Sequence, residues 1–373
     1  EWGSAPIYKP ELVAAFEDHF VLLDHDEVAE SVKGSRLAPA QRLTAEMVLA
    51  AHKNGIRLHG PGRDHDEGVC HRLVVEQYAN PGDIIVLTDS HTPTAGVVNA
   101  FAFGVGSTAM AFALRTGLIP VTVPRVVRVN VVGVPHGAVS AKDLILHIIG
   151  DPYFREEHWR QTPTDTCAIE FGGPGLDAFG LDELSVLTNM TVEGGLMTGT
   201  VEPCKAIREF LTSARGGFDE TAMVYADEGA TYTRTLTISL DDVPVTVATP
   251  GDSRNRAPLA DYSHVVIDNV VIASCTGGSV SDIRAAVEVL GDHKVKAGVR
   301  LIVTPSSASV ERESEALGYL SILRNAGAII TPPGCGSCIG NGPGVPPEGS
   351  ITASTTNRNF ARRMGGPGDV YLV

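Results

Sequence analysis

Apolar and polar positions alternate along this chain in two registers, short apolar runs and longer amphipathic stretches. The run DIIVLTD (83–89) turns polar at its end, the pattern of a buried parallel strand. The Ala-rich GVGSTAMAFALRTGL (104–118) opens on Gly-Ser-Thr and predicts a helix. RVVRVNVVG (125–133) alternates and predicts a strand, while SAKDLILHIIG (140–150) sets an N-cap Ser before apolar residues at helical spacing and a Gly after them. TRTLTISLDDVPVTVATP (233–250) reads as a hairpin of alternating strands. The pattern then restarts, with strand, polar turn and helix over 265–290, a strand over 299–305, a helix over 309–327 and a strand over 328–334. This is an α/β chain with mostly parallel sheets. Shifts of composition near 120–125 and 250–262 divide it into three α/β domains, 1–124, 125–258 and 259–373.

At 373 residues the chain is too long for one ordinary core, which agrees with that division. A formal net charge of −15 with no block of Lys or Arg argues against nucleic acid as a partner, because phosphate binding needs a basic face. A small anion remains compatible, provided a few arginines are gathered locally. Six cysteines are too sparse for a disulfide framework. No apolar run reaches membrane-spanning length and no charged-then-apolar leader opens the numbered chain, so a reduced, cytoplasmic protein with no membrane partner is expected.

In parallel α/β units, ligands gather where strands give way to loops. Cys275 lies at such a point in IASCTGG, and Cys335 and Cys338 follow AIITPPG in the same manner. A CxxC alone fits a redox dithiol, a zinc clip or buried structural thiols. With Cys275 added, an iron–sulfur cluster on three thiolates becomes the sharper reading, one iron being left without a thiolate and open to act as a Lewis acid. Asp89, Ser90 and His91 end another strand, although a plain turn would also account for them. Asp24 and His25 form an Asp-His pair at the end of an apolar strand expected at FVLL, and His71 opens a predicted helix in GVCHRLVVE. An Asp beside a His holds its tautomer and suits a general acid. RDHDEG (63–68) reads as a solvated turn rather than a metal site. In STTNRNFARRMGG (354–366), Asn357, Arg358, Arg362 and Arg363 concentrate positive charge, and paired guanidinium forks suit a dicarboxylate. FGVGSTA (103–109) does not meet the dinucleotide fingerprint.

Taken together, LLDHDE, GVCHR, LTDSHTPTAG, FAFGVGSTA, LTNMTVEGG, DEGATY, IASCT, PPGCGSC and TTNRNFARRMG resemble the aconitase superfamily, and within it the large subunits of 3-isopropylmalate dehydratases. The resemblance spans almost the whole chain. It implies three α/β domains around a [4Fe–4S] cluster held by Cys275, Cys335 and Cys338. It also implies a hydro-lyase/isomerase that moves a hydroxyl between adjacent carbons of a substituted malate through a cis-alkene diacid. Asp24 and His25 would be the acid pair. Asp89, His91 and His71 would surround the reacting water, with Asn189 and Glu193 beside the cluster. Asn357 would touch the cluster region, Ser90 would meet substrate, and Arg358 and Arg363 would hold its carboxylate. Where the family usually has Asn, this chain has Gly277. The swivelling domain is absent from this sequence, which implies a small subunit as partner. Other substituted malates, homoaconitate among them, a non-catalytic iron-sensing relative and a zinc-stabilised scaffold are the alternatives.

Overall fold

The structure is a computed structural model that describes residues 6–26, 28, 30–63, 66–162 and 164–373. Asp64 and His65 of the expected RDHDEG turn lie outside the described residues. The chain forms two compact units, each discontinuous in sequence.

The first unit takes residues 1–73, 106–120 and 266–370. Its centre is a parallel sheet in the order Ile351–Ser354, Asn269–Ile272, Arg300–Val303, Ile329–Ile330. Asn269–Ile272, Arg300–Val303 and Ile329–Ile330 fall within the expected apolar runs, whereas Ile351–Ser354 is a strand the sequence reading did not name. The helix Val280–Leu290 starts at a reciprocal cap, where Asp282 N–H donates to Ser279 Oγ (3.3 Å) and Ser279 N–H donates to Asp282 Oδ2 (2.9 Å). It and the helix Tyr319–Ala326 bury Ile283, Leu320 and Leu323 against Leu301 and Val303 of the sheet. The helix expected over 309–327 is two helices, Ala308–Ala316 and Tyr319–Ala326. Gly318 divides them at φ 78°, a left-handed conformation that ends a helix.

A second small pairing in this unit sets Ala14–Phe16 parallel to Arg57–His59, with the helix Glu30–Asn54 between them in sequence. The run FVLL after Ala14–Phe16 is not the strand the sequence suggested. Successive turns close there instead, with Leu23 N–H donating to Phe20 O and His25 N–H to Leu22 O, each at 3.2 Å. Apolar composition alone does not distinguish a strand from a buried turn.

The second unit takes residues 74–105, 121–265 and 371–373. Its four-stranded parallel sheet runs Thr198–Val201, Cys167–Gly172, Arg125–Val132, Arg234–Ser239. Alternation along Arg125–Val132 sends Val127, Val129 and Val131 to full burial. The helix Ala141–Ile149 has the expected Ser140 cap and presents Leu144, Ile145, Ile148 and Ile149 to the interior. Two expectations change here. Ile84–Leu87 pairs only with Phe101–Gly104, and Ile84 stays 69% exposed, so this strand is an edge ribbon rather than a buried one. The supposed hairpin of 233–250 is split as well: Arg234–Ser239 joins the parallel sheet, while Thr246–Ala248 pairs antiparallel with Arg256–Pro258. A one-turn 3₁₀ helix at Leu240–Asp242, followed by Pro244 without an N–H, carries the chain from one pairing to the next. Among the described residues, no helix is long and apolar enough to cross a membrane.

Candidate active site

In the first unit three thiols converge. Cys275 follows the strand Asn269–Ile272 through Ser274, whose φ of 75° is a left-handed conformation costly for a residue with a Cβ. Cys335 caps the one-turn 3₁₀ helix Gly336–Ile339 and Cys338 lies within it, with Cys338 N–H donating to Cys335 O at 3.2 Å. All three are buried, and none is in a disulfide. The Asn357 amide joins two of them: Cys338 Sγ–H donates to Asn357 Oδ1 (3.5 Å), and Asn357 Nδ2–H donates to Cys275 Sγ (3.4 Å). Cys335 and Cys275 pack together against Val69.

Beside the thiols, the buried Ser337 Oγ and Asn341 Oδ1 have no hydrogen-bond partner. A buried polar atom without a partner is costly. Three converging thiols, with the Ser337 hydroxyl between two of them in sequence, fit a guest that takes soft ligands and accepts a hydrogen bond. An iron–sulfur cluster fits this donor set. A thioredoxin-like dithiol fits poorly, because the CxxC opens a single 3₁₀ turn and not an α-helix.

An Asp-His pair beyond the expected Asp24–His25, Asp18–His19, lies beside Cys335. His19 Nδ1 is 2.6 Å from Asp18 Oδ1, and Asp18 Oδ2 accepts the Cys70 N–H at 2.9 Å. The ligand atoms of Asp18, His19 and Cys335 all lie within 4.8 Å of one another. Burial pushes the Asp18 carboxyl up, but the His19 hydrogen bond and charge, with the Cys70 N–H, outweigh it and hold the carboxyl below its usual range. Asp24 is exposed in a turn and His25 half-buried. Sequence reading named Asp24–His25 and passed over Asp18–His19, although the three-residue strand Ala14–Phe16 ends just before it. His71 is where it was expected, buried at the start of the helix Cys70–Gln77, with its Nδ1 3.6 Å from Cys70 Sγ.

The segment after the strand Ile351–Ser354 is not a solvated basic turn. Asn357 is buried, Arg358 and Arg363 are half-buried, and only Arg362 of the three arginines is exposed. The Arg363 guanidinium lies 5.5 Å from the centre of the Phe360 ring, and its Nε is buried without a hydrogen-bond partner.

The departure at Gly277 has a local cause. A Cβ there would fall 1.9 Å from Thr355 Oγ1 and 2.1 Å from Thr355 Cβ. The Thr355 hydroxyl fills that space, accepting the Ala273 N–H (3.1 Å) and lying 3.3 Å from Gly277 O.

In the second unit, Asp89, Ser90 and His91 end the strand Ile84–Leu87 as expected, and their network is closed. His91 N–H donates to Asp89 Oδ1 at 2.6 Å, and His91 Nε2 meets Glu193 Oε1 at 2.8 Å. Ser90 Oγ lies 3.4 Å from His91 Nδ1. Thr94 Oγ1–H donates to His91 O (2.6 Å) and accepts Asn189 Nδ2–H (2.8 Å). Sequence reading named Asn189 and Glu193 by resemblance; Thr94, which ties Asn189 to His91, it missed.

A family model described as "Aconitase family (aconitate hydratase)" matches residues 4–373. Over 355 residues the chain is 36% identical to the 3-isopropylmalate dehydratase large subunit 1 of Methanopyrus kandleri, covering 95% of this chain and 81% of that one. It is likewise 36% identical over 353 residues to the methanogen homoaconitase large subunit of Methanocaldococcus jannaschii, covering 92% and 80%. The crystal structure of Thermococcus kodakaraensis aconitase X (holo-form) overlaps it with a TM-score of 0.48 at 15% identity, across 88% of this chain and 74% of that one.

Proposed function

The chain belongs to the aconitase family and is an enzyme of the hydro-lyase/isomerase type, and on that premise we propose that it is the large subunit of a dehydratase acting on a substituted malate. The hydroxyl would move between adjacent carbons through a cis-alkene diacid, and the substrate placed first is 2-isopropylmalate. A homoaconitate-type substrate is the second reading, favoured by the name of the M. jannaschii relative. The partner would be a small subunit carrying the swivelling domain. The division into three successive domains at 124 and 258 belongs to the same proposal.

One observation carries the reading: Asn357 joins Cys275 to Cys338, Cys335 packs with Cys275, and Asp18–His19 lies beside Cys335. These cysteines would hold a [4Fe–4S] cluster, which when bound supplies Lewis acidity toward a hydroxyl and a carboxylate through an iron that no thiolate occupies. Asp18 fixes the His19 ring through Nδ1, so a proton carried on Nε2 has a defined direction and can meet a departing hydroxyl. Arg358 and Arg363 would hold a substrate carboxylate, the Arg363 Nε hydrogen being buried and uncommitted. In the second unit, Glu193 holds a proton or a position at His91 Nε2. His71, Asp89, Ser90 and Asn189 keep their proposed supporting roles around the reacting atoms.

The test is anaerobic reconstitution with iron and sulfide, followed by metal quantification, an absorption spectrum and assays with a small subunit. About four irons per chain with a broad visible band is expected. Zinc at one equivalent would overturn the cluster assignment.

A further inference from the structure

We propose that Ser274 is a positioning residue for the cluster: its hydroxyl donates a hydrogen bond to Cys275 Sγ and raises the cluster's reduction potential. This role rests on the cluster reading above and falls to a residue outside the three ligands.

Ser274 Oγ lies 3.4 Å from Cys275 Sγ, in a residue only 2% exposed, where water competes little for the hydroxyl. While Cys275 is a free thiol, either atom can donate. A thiolate has no proton to give, so once Cys275 is a ligand the hydroxyl is the donor. Asn357 Nδ2–H donates to the same sulfur at 3.4 Å. Cys275 Sγ therefore faces two side-chain donors, whereas Asn357 turns its Oδ1 acceptor toward Cys338 Sγ. Hydrogen bonds to cluster sulfurs are among the terms that set the potential, because a donor stabilises the extra electron of the reduced state.

The backbone gives the second, independent sign. At φ 75° a glycine is relaxed and a residue with a Cβ is strained. The turn is nevertheless held, with Gly278 N–H (2.9 Å) and Gly277 N–H (3.4 Å) both donating to Ser274 O. A serine standing where glycine suits the backbone better points to its side chain, and the atom that side chain meets is the ligand sulfur.

Protein-film voltammetry on the anaerobically reconstituted full chain reads the potential directly. Wild type, Ser274→Ala and Ser274→Gly are compared, with iron content and urea denaturation recorded for each. Ser274→Ala removes the hydroxyl and keeps the strained backbone, whereas Ser274→Gly removes both. Each variant is expected to lower the midpoint potential by about 59 mV, a tenfold shift in a one-electron equilibrium. Ser274→Gly should also withstand more urea than Ser274→Ala. An unchanged potential in a cluster-loaded Ser274→Ala overturns the assignment. So does a shift in Ser274→Ala that Ser274→Gly lacks, because the backbone and not the hydroxyl would then be its cause. Should Ser274→Ala fail to fold or to load, Ser274→Gly is read alone under the same criterion. If both variants lose the cluster, the tuning role is overturned, since the hydroxyl would then serve assembly and not the potential. A wild type that takes up no cluster ends the functional reading instead, and this role with it.

Discussion

The thiol region of the first unit and the His91 region of the second are both built where strands end, yet they are finished differently. Around His91 the described polar groups satisfy one another: Asp89 takes the backbone N–H, Glu193 meets Nε2, and Thr94 links His91 O to Asn189. Around the cysteines the protein leaves matters open. Ser274 is held in a left-handed conformation, and the buried Ser337 and Asn341 oxygens lack partners. A closed network needs only its own chain, whereas strain and unpaired polar atoms persist where a guest completes the structure. The difference separates a region that positions a side chain from one whose open groups fit a guest.

The largest effect should come from the open region. Cys338→Ser is expected to remove the cluster and reduce activity by more than a thousandfold, checked by iron and sulfide content after reconstitution. A variant that retains four irons and full activity would end the assignment. Next, Asp18→Asn should lower kcat about 10²- to 10⁴-fold, the span of a lost acid–base group, and at least tenfold more than Asp24→Asn does. The reverse ranking would assign the acid role to Asp24–His25. Glu193→Gln tests the closed region and should lower kcat about a hundredfold with iron content unchanged; lost iron would mean that His91 supports the cofactor and not the chemistry. A smaller effect is expected of Gly277→Ala, whose new methyl meets the Thr355 side chain. It should cost about 1–3 kcal/mol in chemical denaturation, and Thr355→Ala in the same chain should return part of that loss. Smallest of all, Cys167 should resist iodoacetamide at pH 8 in the native protein, because burial pushes its thiol up to about 12. Mass spectrometry showing rapid modification would contradict that burial.

Much of the sheet was legible because parallel strands buried on both faces are continuous apolar runs. Asn269–Ile272 and Arg300–Val303 announced themselves in this way, and Arg125–Val132 by its alternation. The capped helices after Ser140 and Ser279 were equally plain. FVLL was misleading because four apolar residues fit a strand and a buried turn alike. The run 233–250 was misleading because alternation marks a strand but does not name its partner.

The sequence by itself determined the α/β class, the placing of Cys275, Cys335, Cys338, His71 and Asp89–His91 at the ends of strands or the starts of helices, and the gathering of arginines near Asn357. These follow from local periodicity and residue chemistry, which nearby residues suffice to express. Only the tertiary structure decided that Asn357 joins Cys275 to Cys338, that Asp18–His19 stands beside Cys335, and that Thr355 occupies the space at Gly277. Those are meetings of residues up to several hundred positions apart, and it is packing that sets them, which no local pattern encodes.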